Sequence, residues 1–278
     1  YHALKKILFL RTDLSLAQER MLLARELACQ FLELQPRSYE NRILHRNSFE
    51  LLLNNYRAAH FAAALLLPEE ALIQDFQAMV RQSTWHPKAL AALMEKYAVT
   101  AETLLQRLTS ILPHKLGIND LFFIRLAKDE NLHNYLMTKD LHLSQLHKPY
   151  NNRLNEKFCN RWVSITSIQE AAGQQADLLV DAQISNYWKS DSSYLCLSVA
   201  QPLANQPHTY GSVTLGLLIT PHLRSQVFFL DDPALKSREV HTTCERCGIQ
   251  DCKERMAPAV ELNQHLRQQE TIEALSKL

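Results

Sequence analysis

The stretch NNYRAAHFAAALLLPEE, residues 54–70, is the segment of this 278-residue chain that says most about its fold. Its apolar residues recur every three to four positions, which is the periodicity of an amphipathic α-helix. Pro68 is followed by Glu69 and Glu70, and proline with acidic residues is typical of the first turn of a helix. The stretch therefore predicts the end of one helix and the beginning of the next.

The same helical spacing extends over the first half of the chain, where residues 14–110 contain no glycine. Asp13 or Ser15 is a suitable N-cap for the first helix. The last two helices, which follow Pro87, resemble a helix-turn-helix unit. We expect five helices in this half, over residues 16–34, 49–67, 68–83, 88–97 and 100–110.

Beyond Pro113 the pattern changes to the alternation that is typical of strands. Together with the first half, this pattern predicts an α+β fold, in which a helical N-terminal half precedes an antiparallel sheet with flanking helices. Sensor domains of the GAF and PAS kind have this architecture. Strands are expected over residues 120–127, 162–165, 194–200, 212–220 and 226–230, with a helix over residues 168–176. The predicted domains are residues 1–83, a connector over 84–113 and a sensor domain over 114–278.

The composition is that of a globular protein, with 46% apolar and 21% charged residues. A net charge of +1 gives no strongly basic field, so we expect any DNA contact to lie outside this chain. Apolar runs such as residues 61–68 fall short of the roughly 20 residues that cross a bilayer. Without a secretion signal, the expected location is the cytoplasm. The chain begins at Tyr1 without an initiator methionine, so we expect further sequence before it.

Three cysteines, Cys244, Cys247 and Cys252, lie within nine residues in TTCERCGIQDCKER. Closely spaced thiols in a reducing compartment indicate a metal or cluster site. Cys159 supplies a fourth thiol, and three clustered ligands with one distant ligand favour a 4Fe-4S cluster. Four thiolates satisfy zinc equally well, so zinc remains an alternative. The two other cysteines, Cys29 and Cys196, lie in apolar surroundings and are expected to be inert.

Residues 22–31, LLARELACQF, place Arg25, Glu26 and Cys29 in the frame of the zinc-protease signature HExxH. Both metal-binding histidines are therefore replaced, one of them by a permanent cation. Residues 54–70 resemble the second signature of the ImmA/IrrE family, with Arg57 at the position of its acidic zinc ligand. The helical half is thus predicted to be a degenerate zincin-like region, a pseudo-protease without catalytic residues.

Together with CNRWVSITSIQEA (residues 159–171) and CERCGIQDCKERMAP (residues 244–258), this half resembles the short-chain fatty acyl transcriptional regulators. The family hallmarks are similar to CPxWxxxEAF and CxxCxxxDCxxRxxPP, and the resemblance covers about residues 5–259. Asn160 departs from the first hallmark, and Ala257 and Ala259 depart from the double proline of the second. The family's N-terminal helix-turn-helix, of the Xre type, is absent from this chain.

The resemblance implies the effector-sensing and dimerisation portion of a bacterial regulator of fatty-acid or propionate-type metabolism, with acyl-CoA as the effector. DNA would be bound through the missing N-terminal domain, and no membrane contact is implied. An acyl-CoA site combines apolar walls with aromatic faces and cations. The candidate residues for this site lie in the second half of the chain and are Phe123, Arg125, Tyr135, Lys139 and Trp162.

Two alternative functions remain open. In the first, the cluster at Cys159, Cys244, Cys247 and Cys252 is itself the signal, so that the protein senses redox state or iron. In the second, which Arg25, Cys29 and Arg57 disfavour, the chain is an ImmA/IrrE-type metallopeptidase. A homodimer or higher homo-oligomer is the expected assembly, because regulators of this kind bind DNA as symmetric oligomers.

Overall fold

The computed structural model describes residues 1, 5, 7–36, 49–129, 134–143, 156–203 and 209–276. Within these ranges it contains eight α-helices and one six-stranded sheet, which confirms the predicted α+β class. The chain divides into two compact units, Tyr1–Met79 with Ala89–Lys115 and Val80–Lys88 with Leu116–Leu278. None of the helices in the described part is both long enough and apolar enough to span a bilayer.

The described part of the chain has five helices that lie largely in the first unit, and they confirm the five predicted from the sequence. Ser15 begins the first helix with a capping box, in which its hydroxyl accepts the Gln18 N–H at 3.3 Å and Gln18 Oε1 accepts the Ser15 N–H at 2.9 Å. The last helix continues through Pro113 to Leu116, beyond its predicted end at residue 110. The helices are α1 (Leu16–Phe31), α2 (Phe49–Leu66), α3 (Glu69–Val80), α4 (Pro87–Tyr97) and α5 (Ala101–Leu116).

The second unit contains one mixed sheet, with α6 packed on it. Its strand order is β2-β1-β5-β4-β3-β6, and every neighbouring pair is antiparallel except β3 and β6, which are parallel. The prediction of an antiparallel sheet was therefore wrong for one edge. The elements are β1 (Leu121–Asp129), β2 (Asn134–His142), α6 (Val163–Gln174), β3 (Leu179–Tyr187), β4 (Ser193–Pro202), β5 (Tyr210–Leu218), α7 (Pro221–Gln226), a 3-10 turn (Phe228–Asp231), β6 (Lys236–Val240) and α8 (Val260–Leu275).

Two predicted strands are helical in the structure. Residues 162–165 form the N-cap and first turn of α6, and residues 226–230 cover the end of α7 and most of the 3-10 turn. Both segments are rich in aromatic and β-branched residues, which favour strands locally. In α6, Val163, Ile165 and Ile168 are buried, so tertiary burial outweighs the local preference.

The core of the second unit lies between α6 and one face of the sheet. Alternation along β1 directs Phe122, Ile124 and Leu126 toward a cluster that includes Trp162 and Ile168 from the α6 segment. A fully buried side chain such as Ile168 contributes roughly 1.5–3 kcal/mol. This packing fixes the first turn of α6, and hence the segment just before it, against the sheet.

Candidate functional site

The segment that carries Cys159 pairs with the segment that leads into the cysteine-rich loop. Phe158 and Thr243 form an isolated antiparallel bridge. The Cys159 N–H donates to the Thr242 carbonyl at 3.2 Å, and the Cys244 N–H donates to the Lys157 carbonyl at 2.9 Å. This pairing places Cys159 beside Cys244, although the two residues lie far apart in the sequence.

All four predicted ligands lie in one neighbourhood. Cys159, Cys244 and Cys247 are buried and Cys252 is half-buried. Cys159 interacts electrostatically with Cys244 and Cys247, and Cys247 interacts with Cys244 and Cys252. In the side-chain positions of the described residues, no three metal-binding groups already surround one point at ion distance. The cysteines are therefore neighbours, but their sulfur atoms would have to move closer together for three or more of them to share a metal.

Burial shapes the chemistry of these thiols. Loss of solvent raises the pKa of Cys159 to about 11 and raises the pKa of Cys247 as well, while the cationic Arg255 acts in the opposite direction on Cys247. A buried thiol becomes a thiolate when a metal cation replaces its proton. Four sulfur donors with little exposure to water suit either an iron-sulfur cluster or zinc.

Arg255 fixes the backbone of the cysteine-rich loop. Its two terminal nitrogens donate to four carbonyls, those of Cys244 and Cys247 at 3.0 Å, Ile249 at 2.9 Å and Ala257 at 3.3 Å. The Met256 N–H also points at Cys244 Sγ, at 3.4 Å. A planar guanidinium with five donors is suited to such a role. The side chain of Arg255 therefore stabilises the loop that holds three of the cysteines.

An ion pair between a half-buried arginine and a buried glutamate joins the Cys159 segment to the same loop. Arg246 donates from Nε and Nη2 to the two carboxylate oxygens of Glu156, at 2.8 and 2.7 Å. The Thr243 hydroxyl donates to the same carboxylate at 2.7 Å. In the reverse direction, both carboxylate oxygens of Glu245 accept the Lys157 N–H at 3.0 Å. Side chains of each segment thus bind the other.

The five predicted effector residues do not lie in one pocket. Phe123, Arg125 and Lys139 share the sheet face opposite α6, where Lys139 Nζ lies 5.9 Å from the Phe123 ring centre and Lys139 pairs with Arg125 across the strands. Tyr135 and Trp162 belong to the core under α6. Alternation along β1 separates the two groups, because consecutive residues point to opposite faces.

The structure instead has a small cavity between α6 and the sheet, with a volume of about 10 Å³, which is room for about one water molecule. Of the predicted residues only Trp162 lines it. Hydroxyls of Ser164 and Ser185 and the thiol of Cys196 give its apolar wall a few polar groups. The alternation along β1 predicts two faces of the strand, but it does not show which of the two α6 covers. The lining residues are Phe122, Ile124, Trp162, Val163, Ser164, Ser185, Tyr187 and Cys196.

At the HExxH frame, α1 packs against α2 without the side chains of a zinc site. Arg25 Nη2 donates to Asn55 Oδ1 on α2. Glu26 Oε1 accepts from Gln30 Nε2 at 2.9 Å. Cys29 packs against the small core cluster of Ala28, Leu34 and Ala58. The guanidinium occupies the side of the helix where a histidine ligand would be required.

Comparison with known proteins agrees with part of the sequence prediction. Residues 1–109 match the model of the IrrE N-terminal-like domain. This confirms the IrrE-like character of the first part of the chain. No curated protein matches the sequence.

Among solved structures, a Mycobacterium tuberculosis transcriptional regulator is similar to this chain, with a TM-score of 0.62 and 21% sequence identity. The likeness covers 93% of this chain and 73% of the regulator. At this identity the match shows that the two chains share a fold.

Proposed function

We propose that this chain is the effector-sensing and dimerisation portion of a bacterial transcriptional regulator of fatty-acid or propionate-type metabolism. The observation that carries the proposal is the antiparallel bridge that holds the Cys159 segment beside Cys244 and Cys247. The likeness of the fold to a transcriptional regulator supports it. In this proposal the second unit is a sensor domain of the GAF or PAS kind.

Cys159, Cys244, Cys247 and Cys252 are the residues that would hold a 4Fe-4S cluster, with zinc as the alternative. A bound cluster would supply sensitivity to oxygen and iron. Arg255 has a guanidinium near Cys247 that would offset the negative charge of the thiolates. The bracing of the loop carbonyls by Arg255 would keep three of the four sulfurs in order.

The acyl group of an acyl-CoA would enter the cavity between α6 and the sheet. Because the cavity has room for only about one water molecule, its lining side chains would have to move to admit even a short acyl chain. The hydroxyls of Ser164 and Ser185 would bind a polar group such as a thioester carbonyl. Phe123, Arg125 and Lys139 lie on the opposite face of the sheet, so in this proposal they do not contact an acyl-CoA bound under α6.

Trp162 provides a physical route between this cavity and the cysteines. It lines the cavity, its N–H donates to the Cys159 carbonyl at 3.0 Å, and its Nε1 donates to the His241 carbonyl at 2.8 Å. A ligand that moves Trp162 would therefore move the backbone on both sides of the cysteine pairing. Binding at two sites becomes coupled when one ligand favours a state of the other.

The proposal excludes peptidase activity, because Arg25, Cys29 and Arg57 stand at the three zinc-ligand positions. DNA would be bound by a domain outside this chain, and a homodimer would present two such domains to a symmetric operator in the cytoplasm. A second candidate function, a redox or iron sensor, is favoured by the same four cysteines. In that case the cavity would have no regulatory role.

Operator binding by the full-length regulator separates the two functions. DNA affinity is measured anaerobically with and without propionyl-CoA, and then again after exposure to air. An effector-sensing protein changes affinity with the acyl-CoA under anaerobic conditions, whereas a redox sensor responds only to air. If neither treatment alters DNA binding by the intact protein, the proposed function is wrong.

A further inference from the structure

We infer that Glu156 and Arg246 act as a positioning pair that holds Cys159 within reach of the three clustered cysteines. This inference rests on the proposed metal site. It assigns to two charged residues outside the thiol quartet the task of fixing the distant ligand in the place that the backbone bridge gives it. Neither residue is expected to touch the metal.

The geometry of the pair supports a positioning role. The Glu156 carboxylate is 5% exposed and accepts two parallel bonds from Arg246 together with the Thr243 hydroxyl. Two parallel bonds between a guanidinium and a carboxylate fix both distance and orientation. Glu156 lies three residues before Cys159, and Arg246 lies between Cys244 and Cys247. The pair therefore fixes the relative position of the two ligand-bearing segments.

The remaining contacts of the loop do not depend on this pair. Arg255, which follows the three clustered cysteines in the sequence, donates hydrogen bonds to the carbonyls of Cys244 and Cys247. Loss of the Glu156–Arg246 pair should thus leave the three clustered cysteines in place. The backbone bridge between Phe158 and Thr243 remains, so Cys159 should stay near them but be held less firmly. The expected product is a folded domain that holds its fourth sulfur ligand loosely.

The test compares wild type with Glu156→Gln, Arg246→Gln, Arg246→Lys and Cys159→Ser. Asp181→Asn is the matched control, because Asp181 also pairs with a cation, Lys236 at 2.6 Å, on strands of the same unit. Metal-free, reduced protein is first treated with a short bifunctional thiol reagent, and the Cys159–Cys244 cross-link is quantified by peptide mass mapping. We expect the two glutamine variants to give a lower cross-link yield than wild type, and Asp181→Asn to keep the wild-type yield.

Metal affinity is then measured with cobalt(II) in competition with a chelator, because cobalt–thiolate absorption reports the number of bound sulfurs. Substitution of residues that orient metal ligands typically weakens metal binding by about 10–100-fold. We expect a loss of that size in Glu156→Gln and Arg246→Gln, with absorption between those of wild type and Cys159→Ser. Arg246→Lys keeps the charge but cannot donate the two parallel bonds, so its affinity should be intermediate.

The two readouts distinguish failure of the inference from failure of the proposed function. If wild type binds no metal, the proposed metal site is wrong, while the cross-link still tests the positioning. If the glutamine variants keep the wild-type cross-link yield, the inference is overturned. A glutamine variant that unfolds, as judged by circular dichroism, shifts the decision to Arg246→Lys, where a wild-type cross-link yield and cobalt spectrum would likewise overturn it.

Discussion

Replacing Gly248 with alanine should destabilise the cysteine-rich loop. A Cβ at this position would lie 2.3 Å from Cη2 and 2.5 Å from Cζ2 of Trp188, and 2.9 Å from Cδ2 of Leu262. Non-bonded carbon atoms prefer separations of about 3.5–4.0 Å. The methyl group therefore overlaps the indole by more than 1 Å, and either the indole or the loop has to move.

Overpacking of this kind typically costs about 1–3 kcal/mol. For a unit of this size, each kcal/mol lowers the melting temperature by roughly 2–4 °C, so we expect a decrease of about 2–12 °C. Gly248 directly follows Cys247, so displacement of the loop should also reduce metal occupancy. Trp188 is half-buried and lies near His241, with ring centres 5.9 Å apart and ring planes tilted by 58°, so its fluorescence should shift as the indole moves.

The assay is thermal unfolding monitored by tryptophan emission, with Gly173→Ala as the matched control. A Cβ at Gly173, within α6, meets no atom within 4 Å. Alanine is favoured over glycine in a helix by about 0.5–1 kcal/mol, so this control should be slightly more stable than wild type. Equal melting temperatures and emission maxima for Gly248→Ala and wild type would refute the packing argument at the loop.

Three further predictions concern the first unit. Ser15→Ala removes the capping box of α1 and should cost about 0.5–2 kcal/mol in urea unfolding; an unchanged midpoint would contradict this. The Lys96 and Tyr97 bonds to the Asp75 carboxylate lower its pKa, so its contribution to stability is present above about pH 3.9 and is lost as pH falls further. Asp75→Asn should therefore destabilise the protein at pH 7, by an amount that shrinks as the pH falls below about 3.9, and a pH-independent difference would refute the assignment. Restoring Arg25→His, Cys29→His and Arg57→Glu together should create zinc binding detectable by calorimetry, and its absence would show that the zincin frame has been lost.

The helices of the first unit were predictable because their sequence signals are local. The three- to four-residue spacing defines α1 to α5, and Ser15 is a strong cap for the first. The end of α5 was not predictable. Proline normally ends a helix, whereas this helix continues through Pro113 to Leu116.

The strands that the sequence did not reveal include both edges of the sheet. β2 and β6, with sequences NYLMTKDLH and KSREV, lie at the two ends of the strand order and carry many polar or charged residues. Edge strands tolerate such residues because one side remains open, so apolar alternation is weak there. The first turn of α6 was also missed, because burial against the sheet outweighs the strand preference of its residues.

The candidate site was predictable in part, for a physical reason. The spacing of Cys244, Cys247 and Cys252 identifies a thiol cluster from sequence alone. The place of Cys159 beside them depends on the pairing of Phe158 with Thr243 and on the Glu156–Arg246 pair, which are long-range contacts. The cavity residues depend on which face of β1 the α6 helix covers, and alternation by itself leaves that choice open.

Metal content and visible absorption of anaerobically prepared protein test the central claim most directly, in wild type, Cys159→Ser, Cys252→Ser and Cys196→Ser. The buried thiol of Cys196 lies in the same unit but outside the quartet, which makes it the matched cysteine control. We predict a coloured wild type with about four irons per chain, loss of the absorption in the first two variants, and its retention in Cys196→Ser. A Cys159→Ser variant with wild-type iron content and spectrum would contradict the four-cysteine site, and colourless wild type with stoichiometric zinc would contradict the cluster.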